Sequence, residues 1–270
     1  MDLLQVIVLG LVQAVTEWLP LSSKTMDTII YKDFFGGTPS GVVSVLLFLH
    51  IGTLAAAALY FRREILALSM EFLAAPTDIG GHSRGKIGFF ATALFFTGLV
   101  GFPLLLIERF ILPALDGSTL LAAMGAGLVL TGFLLTSQHR KMWRSASSAN
   151  WRDGILTGLL QGLSALPGVS RAGTSTTAII WRGFDSESAF YLSFLLSIPT
   201  VFFAEMVLWL AQGGVSAIPF ADGLVLAASS FFFGYLTIGV LIRAAHRLNV
   251  AYLAFIFGIV MLIAGLAGYG

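Results

Sequence analysis

The chain has 270 residues, 57% of them hydrophobic and only 11% charged, with a formal net charge of +1. A mean hydropathy of +0.91 lies well beyond the apolar share of soluble domains, so the sequence reads as an all-α polytopic membrane protein. The small net charge gives no reason to expect nucleic acid, and the lack of Cys excludes disulfides, thiolate metal sites and Cys nucleophiles.

The N-terminal Met1-Asp-Leu-Leu4 has no basic segment, so no cleavable signal peptide is expected. Residues 3–30 form an apolar run of limited length, broken at Leu19-Pro20 and followed by a polar second limb. Runs long enough to cross a bilayer follow at about 41–61, 87–107 and 119–137. Residues 154–182 repeat the broken pattern at Leu166-Pro167, and three more spans lie at about 188–211, 221–243 and 250–268. Pro and Gly breaks at membrane depth survive only where protein or water satisfies the freed backbone, so both broken stretches are predicted to be re-entrant hairpins.

Basic residues orient this layout. Arg62, Arg63, Arg84 and Lys86 fall in one loop, Arg140, Lys141, Arg144 and Arg152 in another, Arg243 and Arg247 in a third. The positive-inside rule makes these loops cytoplasmic. The alternate loops, 108–118 and 212–222, hold one basic residue, Arg109, and read as external. Both termini and the mouth of the first hairpin are then outside, and the second hairpin enters from the cytoplasm.

An internal repeat agrees. Gly10-Leu-Val-Gln13 through Pro20 and Ser23 aligns with Gly158-Leu-Leu-Gln161 through Pro167 and Ser170, and downstream Ile51 and Thr53 fall on Ile198 and Thr200. The expected fold is one membrane domain over 1–270 with two inverted repeats, about 1–137 and 150–270, each a helical hairpin plus three spans. Inverted repeats place their site where the broken elements meet near the midplane, so the two polar turns are expected to face each other.

The second turn, Leu166-Pro-Gly-Val-Ser-Arg-Ala-Gly-Thr-Ser-Thr-Thr177, favours an anion. A helix starting near Ser170 offers orphan N–H donors, and the guanidinium of Arg171 matches phosphate oxygens bidentately. Glu17 lies four residues after Gln13, on one helical face, and an intramembrane carboxylate marks a site or pathway. Gln13 reads equally as packing glue between helices. Ser22 and Ser23 are open as caps, phosphate ligands or a nucleophile. His50 and Glu205, alone in apolar spans, face a cavity or simply bond a neighbouring helix. Lys24, Asp27, Lys32 and Asp33 line an outer mouth or are plain solvated residues. The Phe231–Phe233 run packs against lipid tails or a prenyl chain.

These stretches resemble the undecaprenyl-diphosphatase (bacitracin-resistance) family: Gly10 to Ser23, Leu49-His-Ile-Gly-Thr53 with Tyr60 to Arg63, Pro167-Gly-Val-Ser-Arg171 with Gly173, and Ala189 to Pro199. The resemblance covers essentially the whole chain. It implies a phosphatase of the cell (plasma or inner) membrane, its active site facing outside, that converts a polyprenyl diphosphate to the monophosphate and recycles the lipid carrier for cell-envelope glycan synthesis. Glu17, Ser23 and Arg171 are then the expected catalytic residues, with Ser170 or water also open as nucleophile. Gln13, Ser22, Lys24, Gly168, Ser170, Gly173, Thr174 and Ser175 are expected to bind substrate. A divalent cation, Mg²⁺ or Ca²⁺, is expected on Glu17 and the diphosphate itself. The expected partners are the lipid, the membrane and a second copy of the chain in a homodimer, and no nucleic acid. Two positions depart from the family pattern. Lys24-Thr25-Met26 stands where bacterial members commonly have Thr-Gly-His, and Ala172 replaces a usual Ser. The alternative is a flippase or carrier that binds the same head group without cleaving it.

Overall fold

A computed structural model gives the fold and describes residues 1–111, 115–138, 143–211, 216–244 and 250–269. Arg140, Lys141 and Arg247 lie outside these residues, as does the side chain of Arg109. The described chain is helical, and five helices are long and apolar enough to cross a membrane: α3 (Pro39–Tyr60), α6 (Lys86–Ile111), α7 (Gly117–Thr136), α10 (Ser186–Ala211) and α11 (Phe220–Ala244). The sixth expected span is α12 (Val250–Leu266), at 17 residues the shortest of the set.

Both broken stretches form helix pairs. In the first, α1 (Leu3–Thr16) ends at the bend before Pro20, and α2 (Ser23–Ile29) continues through a π turn to Phe34. In the second, α8 (Trp151–Gly162) ends in a short 3-10 turn, and α9 (Arg171–Trp181) returns. The second pair closes on itself at its mouth. Asp153, fully buried at the start of α8, accepts hydrogen bonds from Arg144 (2.7 and 2.9 Å) and from Arg182 just past α9 (2.8 Å). Burial alone raises this carboxyl, but the two guanidinium groups carry it below the usual carboxylate range. The first pair has its mouth at the opposite end. The Met1 ammonium bonds Asp222 at 2.9 Å, and Ser44 in the first turns of α3 accepts from Ala217 N in the segment that leads into α11.

One stretch departs from the layout. Residues 62–86, expected as a plain loop, fold as α4 (Arg62–Ala74) and α5 (Ile79–Ser83). No α4 residue is buried, and Leu66, Met70 and Leu73 are well exposed. Their spacing of four and three puts them on one face, the pattern of a helix lying in the membrane interface.

Small residues let the helices approach closely. A Cβ at Gly154 or Gly158 of α8 would lie 2.4 Å from the carbonyl oxygens of Phe89 and Ala93 on α6, respectively. Gly125 on α7 and Gly258 on α12 permit the same approach between their helices. The first hairpin is tied to α10 by Trp18, whose ring packs 5.3 Å from that of Phe194 over a buried cluster with Phe61 and Ile238.

Gly168 fixes the second bend. Its φ of +82 lies in the left-handed region, and a Cβ there would stand 2.0 Å from the Met124 carbonyl oxygen of α7. Gly168→Ala is therefore expected to lower stability by about 1–3 kcal/mol or more, through backbone strain plus the clash. A fall in the thermal midpoint of the purified variant in detergent checks this.

Candidate active site

The two polar turns meet. Glu17, the C-cap of α1, is buried, and its Oε1 accepts from Arg171 Nη2 at 2.6 Å across 154 residues of sequence. Its Oε2 accepts from Ser23 Oγ at 2.7 Å and, loosely, from Gln13 Nε2 at 3.4 Å. His50 of α3 places Nε2 3.5 Å from the same oxygen and Nδ1 3.3 Å from Glu205 Oε1 on α10. Four elements from both halves of the chain thus converge on one carboxylate.

Local sequence explains how each group is held. Ser22 is the one residue other than Gly with positive φ among those described, at φ 58 and ψ 84. Such a backbone costs about 1–3 kcal/mol unless its surroundings hold it. Here it turns the chain sharply after Pro20, so that Ser23 opens α2 facing Glu17. Ser170 is the N-cap of α9, its Oγ accepting from Gly173 N at 3.2 Å and its N–H donating to Thr131 of α7 at 3.0 Å. The N–H groups of Arg171 and Ala172 remain as open donors of that helix start. Arg171 also keeps a spare donor: its Nε is buried with no partner, while Nη1 reaches the Ser193 carbonyl at 3.5 Å.

A cavity opens over this cluster, walled by Thr16, Glu17, Ser22, Ser23, Lys24 and His50 from the first half. From the second half come Ser164, Val169, Ser170, Arg171, Ala172 and the α10 residues Thr200, Val201, Ala204 and Glu205. Of the residues expected to bind substrate, Ser22, Lys24 and Ser170 line it. Gln13, Gly168, Gly173, Thr174 and Ser175 do not, and their contacts lie within the scaffold. Gln13 is fully buried and donates to Thr53 at 3.2 Å. Gly173 packs on Thr131 and Pro20, and the hydroxyls of Thr174 and Ser175 are engaged by carbonyls of the first α9 turn. Asp27 is fully buried rather than solvated, whereas Asp33 is exposed.

The donor set does not form a cage for a resident divalent cation. Both oxygens of Glu17 are already held by Arg171 and Ser23, and no group of three or more His, Cys, Asp or Glu suited to a metal occurs among the described residues. What the cluster can do is bind a phosphate-bearing head group and activate a hydroxyl. The hydroxyl-to-carboxylate bond has the geometry that a nucleophile and its base need, and a guanidinium beside a helix start is an arrangement suited to an anion.

The model of the bacitracin resistance protein BacA family matches residues 6–267. The chain belongs to that family. Among similar BacA-family proteins is an undecaprenyl-diphosphatase of Methanococcoides burtonii, 33% identical over 96% of this chain and 97% of its own length. The undecaprenyl-diphosphatases of Methanothrix thermoacetophila (34% identical, covering 97% of this chain and 96% of its own) and Haloarcula marismortui (33%, covering 98% and 97%) are comparably similar.

Two residues of this BacA-family site, His50 and Glu205, carry weak sequence signals. Each sits in an apolar span whose pattern singles out no face, and only the helix packing brings His50 to Glu17 and Glu205 to His50. Thr131 gives less still: nothing in a single Thr on α7 announces that it holds the Ser170 backbone.

Proposed function

We propose that the chain is an undecaprenyl-diphosphate phosphatase, a multi-pass membrane hydrolase that cleaves the terminal phosphate of a polyprenyl diphosphate and returns the monophosphate carrier to cell-envelope glycan synthesis. The observation that carries this reading is the Ser23–Glu17–Arg171 constellation, with an unpartnered Arg171 Nε–H beside the α9 start. A transferring phosphoryl group spreads charge over its equatorial oxygens, and preorganised donors stabilise that charge. Ser23 attacks the terminal phosphorus while Glu17 accepts the hydroxyl proton. The Arg171 fork and the open N–H groups hold the phosphate oxygens, and Lys24, on the cavity wall, faces the leaving monophosphate.

A divalent cation, Mg²⁺ or Ca²⁺, enters this proposal as a companion of the diphosphate, whose oxygens would supply most of its ligands. Purified protein in liposomes is expected to release inorganic phosphate from polyprenyl diphosphate, and assays with and without Mg²⁺ test the cation. A carrier would bind and move the lipid with no release.

Inverted repeats are part of the same proposal. Gln13 donates to Thr53 at 3.2 Å and Gln161 to Thr200 at 3.0 Å, the same pair made once in each half. Helix α1 packs on α11 as α8 packs on α6, and α7 pairs with α12. The proposal extends to a homodimer in which each chain carries its own Glu17–Ser23–Arg171 cluster.

For orientation, we place the mouth of the first hairpin, and with it the active site, outside the plasma membrane, on the strength of the basic residues around 62–86 and 143–152. Single Cys substitutions at Ser118 and Ser216 are expected to react with an impermeant thiol reagent added outside, and those at Ser83 and Ser147 to be protected. The reverse pattern inverts the orientation.

A further inference from the structure

Ser23 as nucleophile makes the reaction two displacements at one phosphorus, and the second needs two proton carriers at once. When water attacks the phosphorylated Ser23, the departing Oγ must regain a proton while the water loses one. Attack and departure are in line, so the two carriers stand on opposite sides of the phosphoryl group. Glu17, bonded to Ser23 Oγ at 2.7 Å, is on the departing side and holds the proton taken in the first displacement. It cannot also serve the water.

We infer that Glu205 is the base for the second displacement. Apart from Glu17 it is the only carboxylate among the residues lining the cavity, and it arrives from a different wall, on α10. It is 8% exposed in a spanning helix, a costly place for a carboxylate without a task. His50 fixes its position. His50 Nδ1 lies 2.8 Å from the Leu46 carbonyl, which can only accept, so Nδ1 carries a hydrogen, and Glu205 Oε1 stands within ion-pair distance of that nitrogen, at 3.3 Å. Among the described residues no hydrogen bond holds either Glu205 oxygen, and neither is among the atoms buried without a partner, so the carboxylate is open to a water in the cavity it lines. His50 is thus a positioning residue, one imidazole ring spacing the two acids.

The balance closes. In the first displacement the Ser23 Oγ–P bond forms, the bridging P–O bond breaks, the prenyl monophosphate leaves with the electron pair, and the Ser23 proton passes to Glu17. In the second, the water O–P bond forms and the Oγ–P bond breaks. One water proton passes to Glu205, and Glu17 returns its proton to Oγ. Inorganic phosphate leaves, and Glu205 releases its proton to water.

This inference rests on the Ser23 reading, and acid quenching of the full-length protein with substrate labelled in the terminal phosphate separates the two. Glu205→Gln keeps the shape but not the base, and is expected to slow steady-state phosphate release about 10²-fold or more, with KM falling alongside kcat so that kcat/KM, which reports the first displacement, changes little. It is also expected to trap close to one label per chain in an early burst, which Ser23→Ala in the same background removes. Glu205→Asp, charged but shorter, is expected to trap label as well, and serves should Glu205→Gln fail to fold. Release near the wild-type rate from either variant, or slowed release with no label on the chain, overturns the role of Glu205. Ser23→Ala that alone still releases phosphate at the normal rate overturns the nucleophile instead, and the inference with it.

Discussion

Glu17→Gln is expected to abolish phosphate release. The amide keeps the size and hydrogen-bonding reach of the carboxylate, yet it can neither accept the Ser23 proton nor balance Arg171. Loss of a positioned proton acceptor lowers a rate by about 10²–10⁴-fold. Here the same substitution also turns one Glu17 oxygen, either Oε2, now 2.7 Å from Ser23 Oγ, or Oε1, now 2.6 Å from Arg171 Nη2, into an NH₂ group facing a present donor. Both effects act on one step, so release should fall below detection in a standard phosphate assay. Folding should suffer less. Removing one partner of a fully buried ion pair costs about 3–5 kcal/mol, but Arg171 lines an open cavity where water and anions can reach it, so the thermal midpoint should drop only modestly. Near-normal release from a folded Glu17→Gln protein would leave the carboxylate a packing role only.

Much of this site is legible in the sequence because its polar groups interrupt apolar runs. Pro20 and Pro167 mark the bends, Ser170 caps its helix as the spacing implies, and the two turns face each other, Arg171 reaching Glu17. The aligned Gln13 and Gln161 even share their Thr partners. Contacts that depend on how separate helices rotate against each other are another matter. His50 could have faced lipid, a neighbour or the site, since α3 is apolar on all sides and its pattern fixes no face. The same holds for Glu205 on α10. The family His missing after Ser23, with Met26 in its place, suggested a site short of one imidazole; His50 supplies a ring from another helix, 3.5 Å from Glu17. Conversely, Thr174 and Ser175 look like phosphate ligands beside Arg171, but in a helix their hydroxyls fold back on carbonyls three and four residues earlier. The 62–86 segment was hidden for a different reason: its basic residues signal a cytoplasmic face, and that signal says nothing of whether the backbone between them is helical.

Arg171→Lys separates geometry from charge at the same centre. Lysine keeps one positive charge but loses the planar fork. Arg171 uses that fork in three directions: Nη2 on Glu17, Nη1 on the Ser193 carbonyl, and Nε buried without a partner. One ammonium cannot hold Glu17 and a phosphate oxygen in this geometry while the oxygens spread toward the transition state. The ground-state lipid still finds a cation, the α9 N–H groups and Lys24, so KM should change little. An interaction made mainly in the transition state is lost from kcat, and the fall is expected to be roughly 10²–10³-fold, the range for one preorganised donor. A protein that only carried the lipid would have no turnover to lose and would show a modest weakening of binding. Measuring kcat and KM for polyprenyl diphosphate in liposomes distinguishes these outcomes, and an intact kcat would remove Arg171 from the chemistry and leave it as the structural partner of Glu17.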